Sequence, residues 1–179
     1  GAQARPGDRV IVSGSIGDHG MTVMSLREDM TFGTDLKSDC APLGKMVERI
    51  LAAAPGTHVL RDPTRGGLGT TLNEIAAESS VGITLHEAAI PVKDEVRAAC
   101  EFLGLDPLYS ACEGRLIAIV PEEEAEAALA AIQSDSHATG AAIIGEVTAE
   151  NPGFVEMVTL MGGRRMVDWL TGEQLPRIC

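Results

Sequence analysis

The sequence predicts an α+β domain in which helices layer on a mixed β-sheet. Three observations carry that expectation. Strand-like apolar runs, roughly six of them, alternate with four or five stretches of helical spacing, and 179 residues suit one domain. Some strands are joined by short hairpin-like turns and others by helices long enough for a crossover, which together call for a sheet of mixed direction. The chain is 45% hydrophobic but only 3% aromatic, so its core is built from Ala, Val, Ile, Leu and Met.

Residues 10–12, Val-Ile-Val, are the first strand. The glycine-rich turn 14–20 leads into a helix over 21–28, with Asp18 placed to cap it. Strand, glycine turn and helix N-terminus together offer an anion site, although most such turns are only turns. Residues 30–39 read as a polar loop. A helix over 43–54 puts Met46, Val47, Ile50 and Leu51 on one face, and Pro55-Gly56 stops it. A strand at 57–60 and a helix at 72–78 follow. Then come a strand at 82–85 and a helix at 92–103, with Cys100 on its apolar side near Val96 and Phe102. Asp106-Pro107 turns the chain into a buried strand at 116–120. The amphipathic helix 121–133 opens on Glu122-Glu123-Glu124, which suits the positive end of a helix. Strands at 141–147 and 154–160 flank the turn Asn151-Pro152-Gly153. Gly162-Gly163-Arg164-Arg165 makes a last turn, and Trp169 is placed to pin the final ordered residue.

A net charge of −12 argues against nucleic acid as the main partner, while leaving small phosphates open. No apolar run approaches the length of a membrane-spanning helix, and no signal peptide is visible, so neither a membrane nor export is expected. Cys40, Cys100, Cys112 and Cys179 form no C-x-x-C pair, and the histidines are scattered, which gives zinc or iron–sulfur ligation little support. The composition fits a reducing cytoplasm better than a disulfide framework. Cys100 and Cys112 read as packed thiols. Residues 1–8 read as a linker from a preceding N-terminal domain, 9–169 as the domain proper, and 170–179 as a flexible tail.

Candidate chemistry gathers at three places. Cys179 ends a polar, aperiodic stretch, and two readings stay open: a frayed end, or a thiol on a tether. Ten extended residues reach roughly 33 Å, enough to carry a sulfur from a surface into a cleft. Pro176 stiffens the tip and Arg177 can meet a phosphate or carboxylate as a planar fork. The second place is Asp62-Pro63-Thr64-Arg65-Gly66-Gly67, between a strand and a helix. Its glycines allow close backbone approach to an anion, Thr64 and Arg65 add a hydroxyl and a guanidinium, and Asp62 holds either a metal ion or the loop itself. The third is Glu113-Gly114 at a strand entrance, either a carboxylate in a cleft or a solvated strand end.

Five motifs then carry a resemblance. They are residues 5–14 (Arg-Pro-Gly-Asp-Arg-Val-Ile-Val-Ser-Gly), Gly17-Asp18-His19-Gly20, Ser38-Asp39-Cys40, Asp62-Pro63-Thr64-Arg65-Gly66-Gly67 and Pro176-Arg177-Ile178-Cys179. The chain resembles, over essentially its whole length, the C-terminal domain of the HypE family of hydrogenase expression/formation proteins. These are carbamoyl dehydratases of the aminoimidazole ribonucleotide synthetase superfamily. The resemblance implies a three-layer α/β/α domain like the C-terminal half of that synthetase. It implies a homodimer in the full-length protein, with ATP and Mg²⁺ bound largely by an N-terminal domain. It also implies a chemistry. A partner carbamoyltransferase loads a carbamoyl group on Cys179, ATP phosphorylates the carboxamide oxygen, and Glu113 removes nitrogen protons. Loss of phosphate leaves an S-cyanate, whose cyanide passes to iron on a maturation scaffold complex. Asp62, Thr64, Arg65, Gly66 and Gly67 would line the phosphate side, with Asp18, His19 and Asp39 as further cofactor-binding candidates. Two other readings remain: a different ATP-dependent synthetase of the superfamily, which needs no terminal cysteine, and a docking module whose tail only binds partners. Lipidation of Cys179 lacks the C-a-a-X motif.

Overall fold

Strand β1 (Arg9–Val12) sends Val10 and Val12 into one core and Ile11 into another, because successive strand side chains point to opposite faces. The computed structural model describes residues 3–27 and 36–170. After β1 come α1 (Asp18–Arg27), α2 (Gly44–Ala53), β2 (Val59–Arg61), α3 (Gly67–Ser79), β3 (Gly82–His86), α4 (Asp94–Leu103) and β4 (Ile117–Val120). The chain closes with α5 (Ala125–Gln133), β5 (Ala142–Thr148), β6 (Val155–Val158) and β7 (Arg164–Met166). Single 3-10 turns lie at Glu87–Ala89, Pro107–Tyr109 and Glu122–Glu124.

The seven strands among the described residues form one sheet in the order β2-β4-β1-β5-β3-β6-β7. Its ladders are antiparallel except β3–β6, which is parallel, so the sheet is mixed as expected. The strands flanking the turn at 151–153 do not pair with each other. Strand β3 lies between them, and two glycines admit it. A Cβ on Gly82 would stand 1.9 Å from the Glu150 carbonyl oxygen, and one on Gly145 would stand 2.2 Å from that of Thr84. The β1–β5 register shifts between Val10 and Ile11, leaving Ile144 as the extra residue of a bulge.

Helices cover both faces. Leu68, Leu72 and Ile75 of α3 pack on Val10, Val12, Ile83, Leu85, Ile117 and Ile119. On the opposite face Met46 and Ile50 of α2, with Ala128 and Ile132 of α5, pack on Ile11, Ala118 and Val120. This is the expected three-layer α/β/α arrangement. A third cluster joins α1 to α4 through Met21, Val96, Ala99 and Cys100.

The elements correct several expectations. Helix α1 begins at Asp18, and α3 begins at Gly67, about a turn earlier than periodicity suggests. Glu122–Glu124 is a separate 3-10 turn, where Glu122 pairs with Arg9 and Glu124 accepts the Gly56 N–H. Phe102 is 76% exposed and stands outside the core that holds Val96 and Cys100. Trp169 is 48% exposed. The end of the domain is held by buried Val167, whose N–H donates to Val155 and whose carbonyl accepts from Asn73. Cys100 and Cys112 are buried, as expected, and Cys40 is exposed. Cys179, with Pro176 and Arg177, lies outside the described residues. No helix among the described residues is long and apolar enough to cross a membrane.

Candidate functional site

The site is built where the start of α1, the segment around Asp39 and the approach to β4 meet. Gly17, at φ +83°, allows the turn into α1, and its N–H reaches the Cys112 sulfur at 3.4 Å. Asp18 then faces inward and is fully buried. It does not serve as a side-chain cap before the helix, being itself the first helical residue. Its Oδ2 accepts the Ser15 hydroxyl at 2.7 Å and lies 2.9 Å from Lys93 Nζ and 3.5 Å from an Arg115 nitrogen. A buried carboxylate calls for such partners, since an unpaired charge away from water is costly.

Asp39 is the second buried carboxylate of this site, 7% exposed. Its Oδ1 accepts the Glu113 backbone N–H at 2.8 Å, while its Oδ2 stands 4.0 Å from Arg115 Nε. Burial pushes the Asp39 carboxyl above the usual range, and the Glu113 N–H and the Arg115 charge pull back against it. Gly114 explains how Glu113 comes so close. A Cβ there would lie 1.7 Å from the Asp39 carbonyl oxygen and 2.6 Å from the Ala41 nitrogen, so this contact requires glycine after Glu113. His19 completes the group, its Nδ1 2.9 Å from Ser38 Oγ and 3.6 Å from Cys40 Sγ.

The 62–67 loop joins this group through Cys112, whose N–H donates to the Pro63 carbonyl at 3.0 Å. Asp62 and Arg65 are exposed and Thr64 is half-buried. Gly66 and Gly67 have φ of +69° and +62°. A Cβ on Gly67 would stand 2.6 Å from the carbonyl oxygens of both Leu108 and Ser110. The second glycine is thus required by packing against residues 108–110, whether or not an anion sits above it. The open N-terminus of α3 still favours negative charge at this loop.

Buried polar atoms are nearly always hydrogen-bonded. Among the described residues, the buried side-chain atoms left without a partner are Asp18 Oδ1, His19 Nε2, Asp39 Oδ2, Glu113 Oε1 and Thr70 Oγ1. The first four belong to this one group, and Thr70 stands against Gly66 at the start of α3. The unsatisfied polarity of the domain is therefore concentrated around the predicted site residues. No three His, Cys, Asp or Glu among the described residues gather as a metal cluster.

Sequence reasoning passed over Arg115, Lys93 and Ser15. Arg115 carried a signal: an arginine opening a continuous apolar strand must be buried, and a buried guanidinium needs several acceptors. Lys93 and Ser15 carried none beyond lying near turns.

Residues 5–158 match the AIR synthase related protein, C-terminal domain family. The chain belongs to this family. The carbamoyl dehydratase HypE of Azotobacter vinelandii is 61% identical over 179 residues, which are 100% of this chain and 52% of that protein. This AIR synthase related domain thus spans about half the length of the curated relatives it matches. A crystal structure of hydrogenase maturation protein HypE in complex with ATP superposes with a TM-score of 0.94 at 51% identity, covering 99% of this chain and 54% of that one. A crystal structure of a HypE–HypF complex matches with a TM-score of 0.89 at 45% identity, covering 93% of this chain and 54% of that one. The resemblance to HypE therefore runs through the family domain and past its end at residue 158.

Proposed function

We propose that this domain is the C-terminal half of an ATP-dependent carbamoyl dehydratase that converts an S-carboxamide on Cys179 to an S-cyanate. One observation carries the reading: the unpartnered buried atoms of Asp18, His19, Asp39 and Glu113 belong to one group of neighbouring residues. High identity to HypE along the whole chain supports it. In this reading Cys179 is the carrier and Glu113 the base, because its Oε1 is held out of water with no partner to compete for a proton. Phosphorylation of the carboxamide oxygen by ATP turns a poor leaving group into phosphate. The carboxamide gives up one nitrogen proton as its oxygen is phosphorylated, leaving an O-phosphoimidate; Glu113 takes the second nitrogen proton, the C–O bond breaks, phosphate departs with its electron pair, and S–C≡N remains. ATP leaves as ADP, and the carboxamide has lost the elements of water.

In this reading Asp62, Thr64, Arg65, Gly66 and Gly67, in the loop before α3, meet the phosphates, where the helix N-terminus favours negative charge. Magnesium usually takes one or two protein carboxylates, with water and substrate phosphates filling its remaining positions. The bare oxygens of Asp18 and Asp39 are hard donors that fit such a role beside His19, and the ion would neutralise triphosphate charge during transfer. The loading partner is a carbamoyltransferase of the HypF kind, given that HypE has been solved with HypF. Cyanide then passes to iron on a maturation scaffold complex, and the full-length protein works as a cytoplasmic homodimer.

Intact mass tests this on the protein at the full length of its relatives. Incubated with the carbamoyltransferase, carbamoyl phosphate and ATP, the wild type gains one carbamoyl group and then loses one water, mapping to Cys179. Glu113→Gln stops at the carboxamide, and Cys179→Ser gains nothing. Identical behaviour of the Cys179→Ser protein would overturn the reading and leave a docking module in its place.

A further inference from the structure

We propose that the cavity between α4 and the β6–β7 edge of the sheet is a docking site for residues 171–179 of this chain, a peptide-binding site apart from the group around Glu113. The cavity measures about 290 Å³. That is at the lower end of the roughly 300–1,000 Å³ of small-molecule sites, and it suits a few side chains of a peptide better than a cofactor. Its floor is apolar: Ile90, Cys100, Leu108 and Met157 are buried there, with half-buried Val92 and Leu105 beside them. Its rim is charged. Arg165 is committed to Asp106 at 2.8 Å, and Glu87 Oε2 accepts the Leu160 N–H at 2.8 Å. Arg97 and Glu101 remain, one turn apart on α4, both exposed and neither in an ion pair with a described residue. Asp18, His19, Asp39 and Glu113 are not among the lining residues.

The chain itself supplies a matching occupant. The Tyr109 hydroxyl donates to the Asp168 carbonyl at 2.7 Å, and Tyr109 follows Pro107 and Leu108, which line the cavity. Leu170, the last described residue, thus lies two positions past an anchor beside the cavity. The nine residues after it extend to about 30 Å, enough to turn back over the cavity. Their two charges are Glu173 and Arg177, with Leu175, Pro176 and Ile178 between and just beyond them. Laid alongside α4 in the same direction, the segment brings Glu173 to Arg97 and Arg177 to Glu101, while its apolar side chains cover the floor.

Tethering decides which peptide fills the cavity first. So small a contact binds weakly on its own, but a short flexible connection holds the segment at an effective concentration on the order of millimolar. A free peptide from another protein would need that concentration to compete. The same weakness lets the segment leave. In the dehydratase reading, docked Cys179 stands at the α4 rim, outside the group that holds Glu113, so docking and water loss are alternative positions of one segment. Docking itself requires neither ATP nor a loaded thiol, and it stands or falls apart from the dehydratase reading.

The test is hydrogen exchange of the full-length protein, free of nucleotide and partner, read by mass on fragments covering 171–179 beside a synthetic peptide of the same residues. In the wild type these amides are expected to exchange about 3- to 10-fold more slowly than in the peptide. Arg97→Glu, Glu101→Arg, Glu173→Arg and Arg177→Glu each return them to the peptide rate. Glu101→Arg combined with Arg177→Glu restores the protection, and so does Arg97→Glu with Glu173→Arg, as direct pairing requires and a general loss of packing does not. Exchange at the peptide rate in the wild type would overturn the docking site. So would protection that survives Arg97→Glu and Glu101→Arg, or that the paired reversals fail to recover. If the changes on α4 do not fold, Glu173→Arg and Arg177→Glu with undiminished protection do the same, since they leave the cavity lining intact. Protection that rises with protein concentration would place the segment of a second copy in the cavity and overturn the intramolecular site. Full protection in a protein that never loses water from Cys179 would uphold the docking site and remove the dehydratase reading.

Discussion

Buried and exposed thiols of this domain differ in chemistry. Cys112 is fully buried beneath the Gly17 N–H, and burial pushes its thiol up to about 12. Cys100, packed between α1 and α4, is pushed up to about 11. Both keep their protons at pH 8, and only the thiolate reacts with an alkylating agent. Iodoacetamide at pH 8 should therefore modify exposed Cys40 and spare Cys100 and Cys112 until the chain is denatured, as peptide mapping by mass would read. The same shifts fix a pH dependence. The unfolded thiols lose protons near 9.0, while the folded ones hold them to about 11 and 12. Both contributions to stability are full below pH 9 and vanish as the pH rises through the folded values. The urea midpoint should fall from pH 9 to 11, and less steeply in Cys112→Ala whatever that variant's absolute stability. An unchanged slope would show that Cys112 ionises freely in the fold. At this scale the Glu113-Gly114 pair could be singled out in the sequence, as either a cleft carboxylate or a solvated strand end, but Asp39 Oδ1 on the Glu113 N–H could not, because 74 residues separate them. Lys93 was equally hidden, since only folding sets it beside Asp18.

Single helices divide into those that carry the fold and those that present a surface. Leu72 of α3 is fully buried between the helix and the sheet, whereas Phe102 of α4 projects into solvent. Leu72→Ala removes buried apolar volume that the sheet cannot refill and should cost about 2–5 kcal/mol. Phe102→Ala should change stability by about 0.5 kcal/mol or less, although it deletes a larger side chain. Chemical denaturation of both variants decides it, and a comparable loss in the two would mean that α4 is seated differently. Periodicity found α2, α4 and α5 well because their apolar faces repeat at helical spacing. It began α3 late because Gly66, Gly67 and Gly69 read as loop. Their reason is tertiary: Gly67 touches the 108–110 backbone, and a Cβ on Gly69 would stand 2.8 Å from the Tyr109 ring. Strand β7 gave no signal, being Arg-Arg-Met, exposed throughout, and held at the sheet edge by its ladder to β6 and the Arg164–Glu156 pair.

The two cores of the molecule are chemically separate yet share their strands. Ile117 and Ile119 of β4 enter the core under α3, while Ala118 and Val120 enter the one under α2 and α5. Strand β1 divides its side chains in the same way. Losing either helical layer exposes the central strands, so the other layer has nothing left to pack on. The domain should then unfold as one cooperative unit. Leu72→Ala on one face and Ile50→Ala on the other touch no common side-chain cluster. Their costs should add within about 0.5 kcal/mol in the double variant. The urea transition should remain single, with an m-value unchanged from wild type, since the surface exposed on unfolding is the same. Two resolved transitions would mean that one helical layer can leave while the sheet stays folded. A coupling well beyond that margin would mean that strain crosses the sheet through β1 and β4. That second outcome would bear on the site, because Arg115 and Glu113 are carried into place by the chain entering β4, and packing beneath α2 and α5 would then help set the angle at which Glu113 is held.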